Sequence, residues 1–249
     1  MPRAVAIDPA SEMGPVALTV ADASAASAFY EQAIGLRPLT GTEDGVQLGA
    51  GERAVVELIG DPGAPQRPPA TTGLFHLAML VHSRIELART LRRVANAGWR
   101  FSGASDHLVS EALYLQDTEG NGIEIYRDRP RDEWPVADGE LRMDTLPLDL
   151  QGLLLELPDG GEEAGGPIAA GTRIGHVHLN VSDLAASEEF YVGTLGFEVT
   201  VRGYPQALFV SAGGYHHHIG LNTWAGEGAP PPPPGARGLR WFEIFLPTA

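Results

Sequence analysis

Two histidines and one glutamate stand where this chain otherwise reads as apolar strand. His76 lies in Leu74-Phe75-His76-Leu77, His176 in Ile174-Gly175-His176-Val177-His178, and Glu124 follows the turn Gly120-Asn121-Gly122. A lone histidine on an apolar strand is more often a packed, hydrogen-bonded residue than a ligand. These two are not independent cases, because an internal repeat assigns them one position. Val20, Asp22, Phe29, Tyr30 and Gly35 match Val181, Asp183, Phe190, Tyr191 and Gly196 at a constant offset, and a third copy of the unit opens at Leu74. Aligning the first strands sets His76 on His176, whereas the first copy carries Pro15 and Ala17 where the third carries His176 and His178. Glu124 sits in an apolar strand, where a buried carboxylate is costly unless a cation compensates it. Two imidazoles and one carboxylate, if they converge, make a facial triad of the kind that holds Fe(2+), with positions left for substrate and oxygen; Mn(2+) suits the same donors.

Converging side chains need strands that bring them together, and the repeat supplies a β-α-β-β-β unit. In the first unit a strand at Val16–Val20 leads to a helix capped by Asp22 and stopped by Gly35, then to an apolar hairpin from Val46 to Ile59. Asp61–Thr72, rich in Pro and Gly, reads as a linker. In the second unit His76, Ala78 and Leu80 share one strand face, and Leu77, Met79 and Val81 the other. Ser83 and Glu86 form a capping box for a helix ending at Gly98, followed by strands at Ala112–Leu115 and Ile123–Tyr126 around the turn Asp117–Gly122. The third unit runs from Ile174 to Trp224, with a helix after Asp183 and a final hairpin from Leu208 to Asn222.

The expected fold class is therefore α+β: repeated βαβββ modules, three complete and a fourth truncated, forming cupped mixed β-sheets with helices outside. Residues 1–130 hold modules one and two, and 131–173 form a connector. The connector contains a short helix at Leu150–Leu157 and a loop from Pro158 to Thr172, rich in glycine and acids and expected to be mobile. Residues 174–228 make module three. Residues 229–249 supply a stiff spacer, Pro230–Pro234, of roughly 15 Å, and Trp241–Leu246 as the first strand of an incomplete module four. The aromatic pairs Phe29-Tyr30 and Phe190-Tyr191 are expected in the core.

Composition narrows the function classes. The 249 residues carry 17 basic and 32 acidic side chains, a net charge of -15, so there is no basic footprint for nucleic acid or an anionic membrane. Every basic residue is arginine. There is no cysteine, which excludes disulfides, thiolate ligands and cysteine nucleophiles. Any metal must be held by nitrogen and oxygen. Met1–Gly14 has no apolar stretch of signal-peptide length and no run reaches the roughly 18 apolar residues of a membrane span, so the cytoplasm is the expected location.

Together, Phe75-His76-Leu77, Ser110-Glu111-Ala112-Leu113-Tyr114, Gly120-Asn121-Gly122-Ile123-Glu124, Ile174-Gly175-His176-Val177-His178 and Gly214-Tyr215-His216-His217-His218-Ile219-Gly220 carry a resemblance. They resemble the vicinal oxygen chelate (glyoxalase/bleomycin resistance/extradiol dioxygenase) superfamily, and within it the bacterial four-module catechol 2,3-dioxygenases. The resemblance implies an Fe(2+)-dependent extradiol dioxygenase of aromatic hydrocarbon catabolism, acting on a small aromatic diol and dioxygen. It implies that His76, His176 and Glu124 bind the metal, that His217 is an acid and base near bound oxygen, and that Tyr114 donates to the substrate. His107 would support that tyrosine, although its spacing is shorter than in the better-known members. The metal cup would come from modules two and three. Assembly into a homo-oligomer is compatible with this pattern.

Other readings stay open at this point. His178 faces the same side as His176 and is an alternative ligand. In His216-His217-His218, strand alternation would put the first and third on one face and His217 on the other; a solvated hairpin edge is the plainer account. Tyr114 could be a packed strand aromatic, and Glu57, in a comparable strand without a histidine partner, reads as structural. A glyoxalase-type isomerase on zinc, nickel or cobalt would need a fourth ligand from the last strand of the partnering module, where no carboxylate is present. A metal-free binding or resistance protein is the alternative from another class.

Overall fold

The computed structural model describes residues 5–42, 45–137, 139–158 and 166–247. Of the loop expected over Pro158–Thr172, residues 159–165 lie outside the described residues.

Local hydrogen bonds set the module starts. After β1 (Glu12–Val20), Asp22 takes extended backbone angles and its carboxylate accepts from the Ala25 amide, opening α1 (Ala23–Phe29). The helix widens into one π-helical turn, Tyr30–Ile34, and Gly35 ends it in the left-handed region at φ 90°. Strands β2 (Arg37–Thr42), β3 (Gly45–Ala50) and β4 (Arg53–Gly60) complete the module. Module two repeats the order with β5 (Gly73–Leu80), α2 (Arg84–Asn96), β6 (Gly103–Asp106), β7 (Ser110–Gln116) and β8 (Gly122–Asp128). The Ser83 side chain caps α2 at the Glu86 amide. The connector carries β9 (Val136–Ala137), β10 (Glu140–Leu141), β11 (Leu146–Pro147) and α3 (Leu150–Leu154). Module three follows as β12 (Arg173–Asn180), α4 (Leu184–Glu188), β13 (Glu198–Val201), β14 (Ala207–Ser211) and β15 (Ile219–Asn222), and β16 (Gly238–Phe245) comes last. Asp183 caps α4 at the Ala186 amide, and this helix too ends in a π-helical turn, Glu189–Thr194.

Among the described residues these strands form two large sheets. One has the order β11-β6-β7-β8-β5-β12-β15-β14-β13, the other β16-β1-β4-β3-β2. Each is organised around an antiparallel strand pair, β5 with β12 and β1 with β16; β8, β15 and β4 run parallel beside β5, β12 and β1, and β16 lies at the sheet edge. Leu74, Leu77, Met79 and Val81 join the main core, whereas Ala78 and Leu80 point the other way and meet Ala112 and Tyr126. From His76 onward the expected alternation thus separates a packed face from a cupped one, whereas a register shift before His76 turns Leu74 into the core and leaves Phe75 on the cavity. Burial of each such aliphatic side chain contributes about 1.5–3 kcal/mol, which makes a one-residue slip of β5 prohibitive. The polyproline stretch is tied back to the linker: the Pro230 carbonyl accepts from Thr72 and the Pro65 carbonyl from Arg237, each at 3.0 Å.

One packing expectation is corrected. Phe29 and Tyr30 are buried, with the Phe29 ring edge-on to Trp99 at 4.6 Å, but Phe190 is 52 % exposed. The π turn after α1 packs on α2, and no helix packs closely on α4 or its π turn among the described residues. The repeat preserves residue type at this position without preserving the neighbour that buries it.

Candidate metal centre

The three candidate ligands arise from adjacent strands. Ala78 on β5 lies opposite Glu124 on β8 and opposite His176 on β12, and its methyl group leaves room between them. His76 is two residues before Ala78 on the same face. The result brings His76 Nε2 to 3.0 Å and His176 Nε2 to 3.2 Å from one oxygen of Glu124, Oε2. One nitrogen from each imidazole and a carboxylate oxygen lie within 4.8 Å of one another, and the residues are only 6, 1 and 3 % exposed. His176 forms a hydrogen bond with the carboxylate, but His76 Nε2, close as it is, has no hydrogen-bond partner among the described residues. Burial pushes His176 down to about 4, so the ring is neutral near pH 7. Burial opposes the charge on Glu124, yet the His176 and His76 imidazoles outweigh it and hold the carboxyl well below its ordinary range. A neutral imidazole and an ionised carboxylate are the forms that ligate metals.

Beside this group opens a cavity of about 360 Å³, lined by His76, Glu124, His178 and His217 and walled by the apolar rings of Phe75, Phe209 and Trp224. On one side His107 Nδ1 lies 2.7 Å from the Asp144 carbonyl, which can only accept, so the proton sits on Nδ1. In the neutral ring His107 Nε2 then accepts from the Tyr114 hydroxyl at 2.6 Å. Burial, aided by the charge of Glu124, raises the Tyr114 phenol well above its ordinary value. Leu108, next to His107, has a left-handed φ of 71° and its amide donates to Asp106, a conformation that is uncommon outside glycine.

On the other side stands the histidine run. His217 packs against His176 with ring centroids 4.0 Å apart and the planes tilted by 48°, and burial together with the neighbouring imidazoles holds it well below its ordinary pKa. The expected alternation over His216-His217-His218 does not hold. These residues form the loop entering β15 rather than strand, and His216 Nδ1 and His217 Nδ1 meet at 2.7 Å instead of pointing apart. His216 Nε2 reaches Asp128 Oδ1 at 2.9 Å, and the Tyr215 hydroxyl donates to the same carboxylate at 3.0 Å.

His178 takes a different place from the triad. It lies opposite His76 on β5 and beside Gly220 on β15, in the register that Ala78 and Glu124 share on β5 and β8. Gly220 is thus the third-module counterpart of Glu124, and a Cβ there would meet the His178 ring at 2.9 Å. We expect Gly220→Ala to destabilise the fold by about 1–3 kcal/mol through overpacking, read as a lower denaturation midpoint. An unchanged midpoint would show that the His178 ring is free to move.

Residues 12–125 and 173–245 match the sequence profile of the Glyoxalase/Bleomycin resistance protein/Dioxygenase superfamily. Over 242 residues, 95 % of this chain and 83 % of the relative, the sequence is 44 % identical to a protein named Catechol-2,3-dioxygenase from Bacillus subtilis (strain 168). The chain belongs to this superfamily. Its fold is also similar to that of solved structures: for glyoxalase I from Zea mays the TM-score is 0.58 at 16 % identity, over 94 % of this chain and 74 % of that one. A provisionally assigned Bacillus subtilis dioxygenase gives 0.64 and 13 %, over 96 % and 70 %. Within the superfamily frame, βαβββ modules pair through their first strands, and the triad lies on the β5–β12 pair and its neighbour β8.

The residues that sequence reasoning missed here are Asp128, His216, Tyr126 and Tyr215. Asp128 was within reach, because Glu124, Tyr126 and Asp128 share one face of β8. The Tyr126 hydroxyl lies against Tyr215 at 2.7 Å and crosses β12 where Gly175 stands; a Cβ on Gly175 would sit 1.8 Å from it.

Proposed function

We propose that this chain is an Fe(2+)-dependent extradiol ring-cleaving dioxygenase acting on catechol or a substituted catechol. The observation that carries the reading is the meeting of two imidazole nitrogens and one carboxylate oxygen beside a cavity that His217 and Tyr114 also line. His76, His176 and Glu124 would hold the metal, with modules two and three sharing the site across the connector; Mn(2+) suits the same donors. Ferrous iron bound there supplies the means to bring a chelating diol and dioxygen within bonding reach of one another. His217, neutral at physiological pH, is suited to take a proton from a substrate hydroxyl. Tyr114 and His107 form a hydrogen-bonded pair at the opposite wall, positioned to orient the substrate oxygen. The similarity to a protein named as a catechol 2,3-dioxygenase supports the same reading.

A glyoxalase-type isomerase is disfavoured by Gly220. That position would offer the fourth ligand from the partnering module, and it has no side chain, its space being filled by His178.

The cavity lining also bears on which catechol is taken. Among the described residues no arginine lines it, whereas Asp144 and Glu124 do. A carboxylate on the substrate would have no cation to pair with, a loss of about 1–3 kcal/mol or more. We therefore expect kcat/KM for catechol and methylcatechols to exceed that for 3,4-dihydroxybenzoate by about 10–100-fold. The test is oxygen uptake and a yellow ring-opened product when protein purified anaerobically and loaded with ferrous iron meets each diol in air. No uptake with any of them would defeat the proposed activity, and equal rates with the carboxylated diol would defeat the selectivity.

A further inference from the structure

We propose that Asp128 and His216 form a positioning dyad that fixes the tautomer of His217, leaving its Nε2 unprotonated toward the cavity. The argument runs along the hydrogen bonds from the outside inward. The Asp128 carboxylate accepts from the Tyr215 hydroxyl at 3.0 Å, and because that proton is committed, the Tyr126 hydroxyl donates to the Tyr215 oxygen at 2.7 Å. Asp128 also faces His216 Nε2 at 2.9 Å. A carboxylate oxygen only accepts, so His216 carries a proton on Nε2, and in the neutral ring its Nδ1 is bare. That bare nitrogen lies 2.7 Å from His217 Nδ1. Two lone pairs at this distance repel, so the proton between them belongs to His217, and His217 Nε2 is the atom left with a lone pair.

Every ring in the chain is held. His216 is fully buried, with Tyr215 at 4.0 Å, Tyr126 at 5.9 Å and Trp134 at 5.3 Å between ring centroids. The connector locks the loop from outside, where Arg131 lies over the Trp134 ring and donates to the Gly213 and Gly214 carbonyls. Neither dyad residue lines the cavity. They act through His217, in the way a carboxylate behind a catalytic imidazole selects its tautomer. The use of that lone pair to take a substrate proton rests on the dioxygenase reading. The tautomer does not.

The test is therefore made on metal-free protein. Nitrogen-15 NMR of the labelled imidazoles is expected to find His216 protonated at Nε2 and bare at Nδ1, and His217 protonated at Nδ1 and bare at Nε2, with a scalar coupling across the Nδ1–Nδ1 hydrogen bond. A wild-type His217 protonated at Nε2 overturns the proposal. In Asp128→Ala and in His216→Phe, which keeps ring volume but removes the acceptor, a tenth or more of His217 is expected to move to the Nε2-protonated form. A His217 tautomer unchanged in the variants that fold overturns the dyad's role, and the wild-type spectrum decides if neither folds. In iron-loaded protein the same variants are expected to lose about 10²-fold in kcat with KM held within about twofold. Absence of turnover in all forms counts against the dioxygenase reading alone.

Discussion

Glu124→Ala is expected to lower the affinity for ferrous iron by at least about 100-fold, since even residues that only support a metal ligand cost 10–100-fold when lost. Glu124 is the one anionic donor of the group, and without it two imidazoles remain on a buried strand face. The metal-free variant should be somewhat less stable than the parent, because the His176 and His76 imidazoles outweigh the cost of burying the carboxylate and that balance is lost with it. This loss is independent of metal. The signature is therefore a split: the parent gains about 2.7 kcal/mol of apparent stability at a metal concentration 100 times its Kd, and the variant gains at most about 0.4 kcal/mol at the same concentration. Denaturation with and without ferrous iron under argon reads both numbers. A variant that unfolds on its own while still responding to metal would make Glu124 a structural residue instead.

His217→Ala is expected to retain iron and to lose about 10²–10⁴ in kcat, the range that a positioned acid or base contributes. The ring lies against His176 and lines the cavity, but none of its atoms belongs to the three-ligand group. Metal content by elemental analysis should therefore match the parent while oxygen uptake with catechol falls. KM should change little, because the walls that enclose a diol come from Phe75, Phe209 and Trp224. Full activity in His217→Ala would remove it from the chemistry, and loss of iron would make it a ligand.

How much of this was readable beforehand depended on how local the cause was. The Asp22, Ser83 and Asp183 caps and the Gly35 stop lie within a few residues of what they bond, and each was legible. The convergence of His76 and His176 was legible for another reason: the repeat placed them at one position of a shared unit, so their meeting needed only that two modules pair through their first strands. Alternation on β5 held from His76 onward because one side is packed and the other cupped. The same period failed at His216 to His218, where the chain is loop and neighbouring imidazoles could turn toward each other. Phe190 failed because burial belongs to a contact between elements, and its helix lacks the neighbour that covers Phe29. The Asp128–His216 bond joins the end of module two to the last loop of module three. Nothing near either residue in the sequence announces the other.

The most direct measurement is anomalous diffraction at the iron edge from crystals of protein reconstituted with ferrous iron under argon. A single peak within bonding reach of His76 Nε2, His176 Nε2 and a Glu124 oxygen is the predicted result. A peak held by other residues, or none between these three side chains in protein that elemental analysis shows to contain iron, would contradict it.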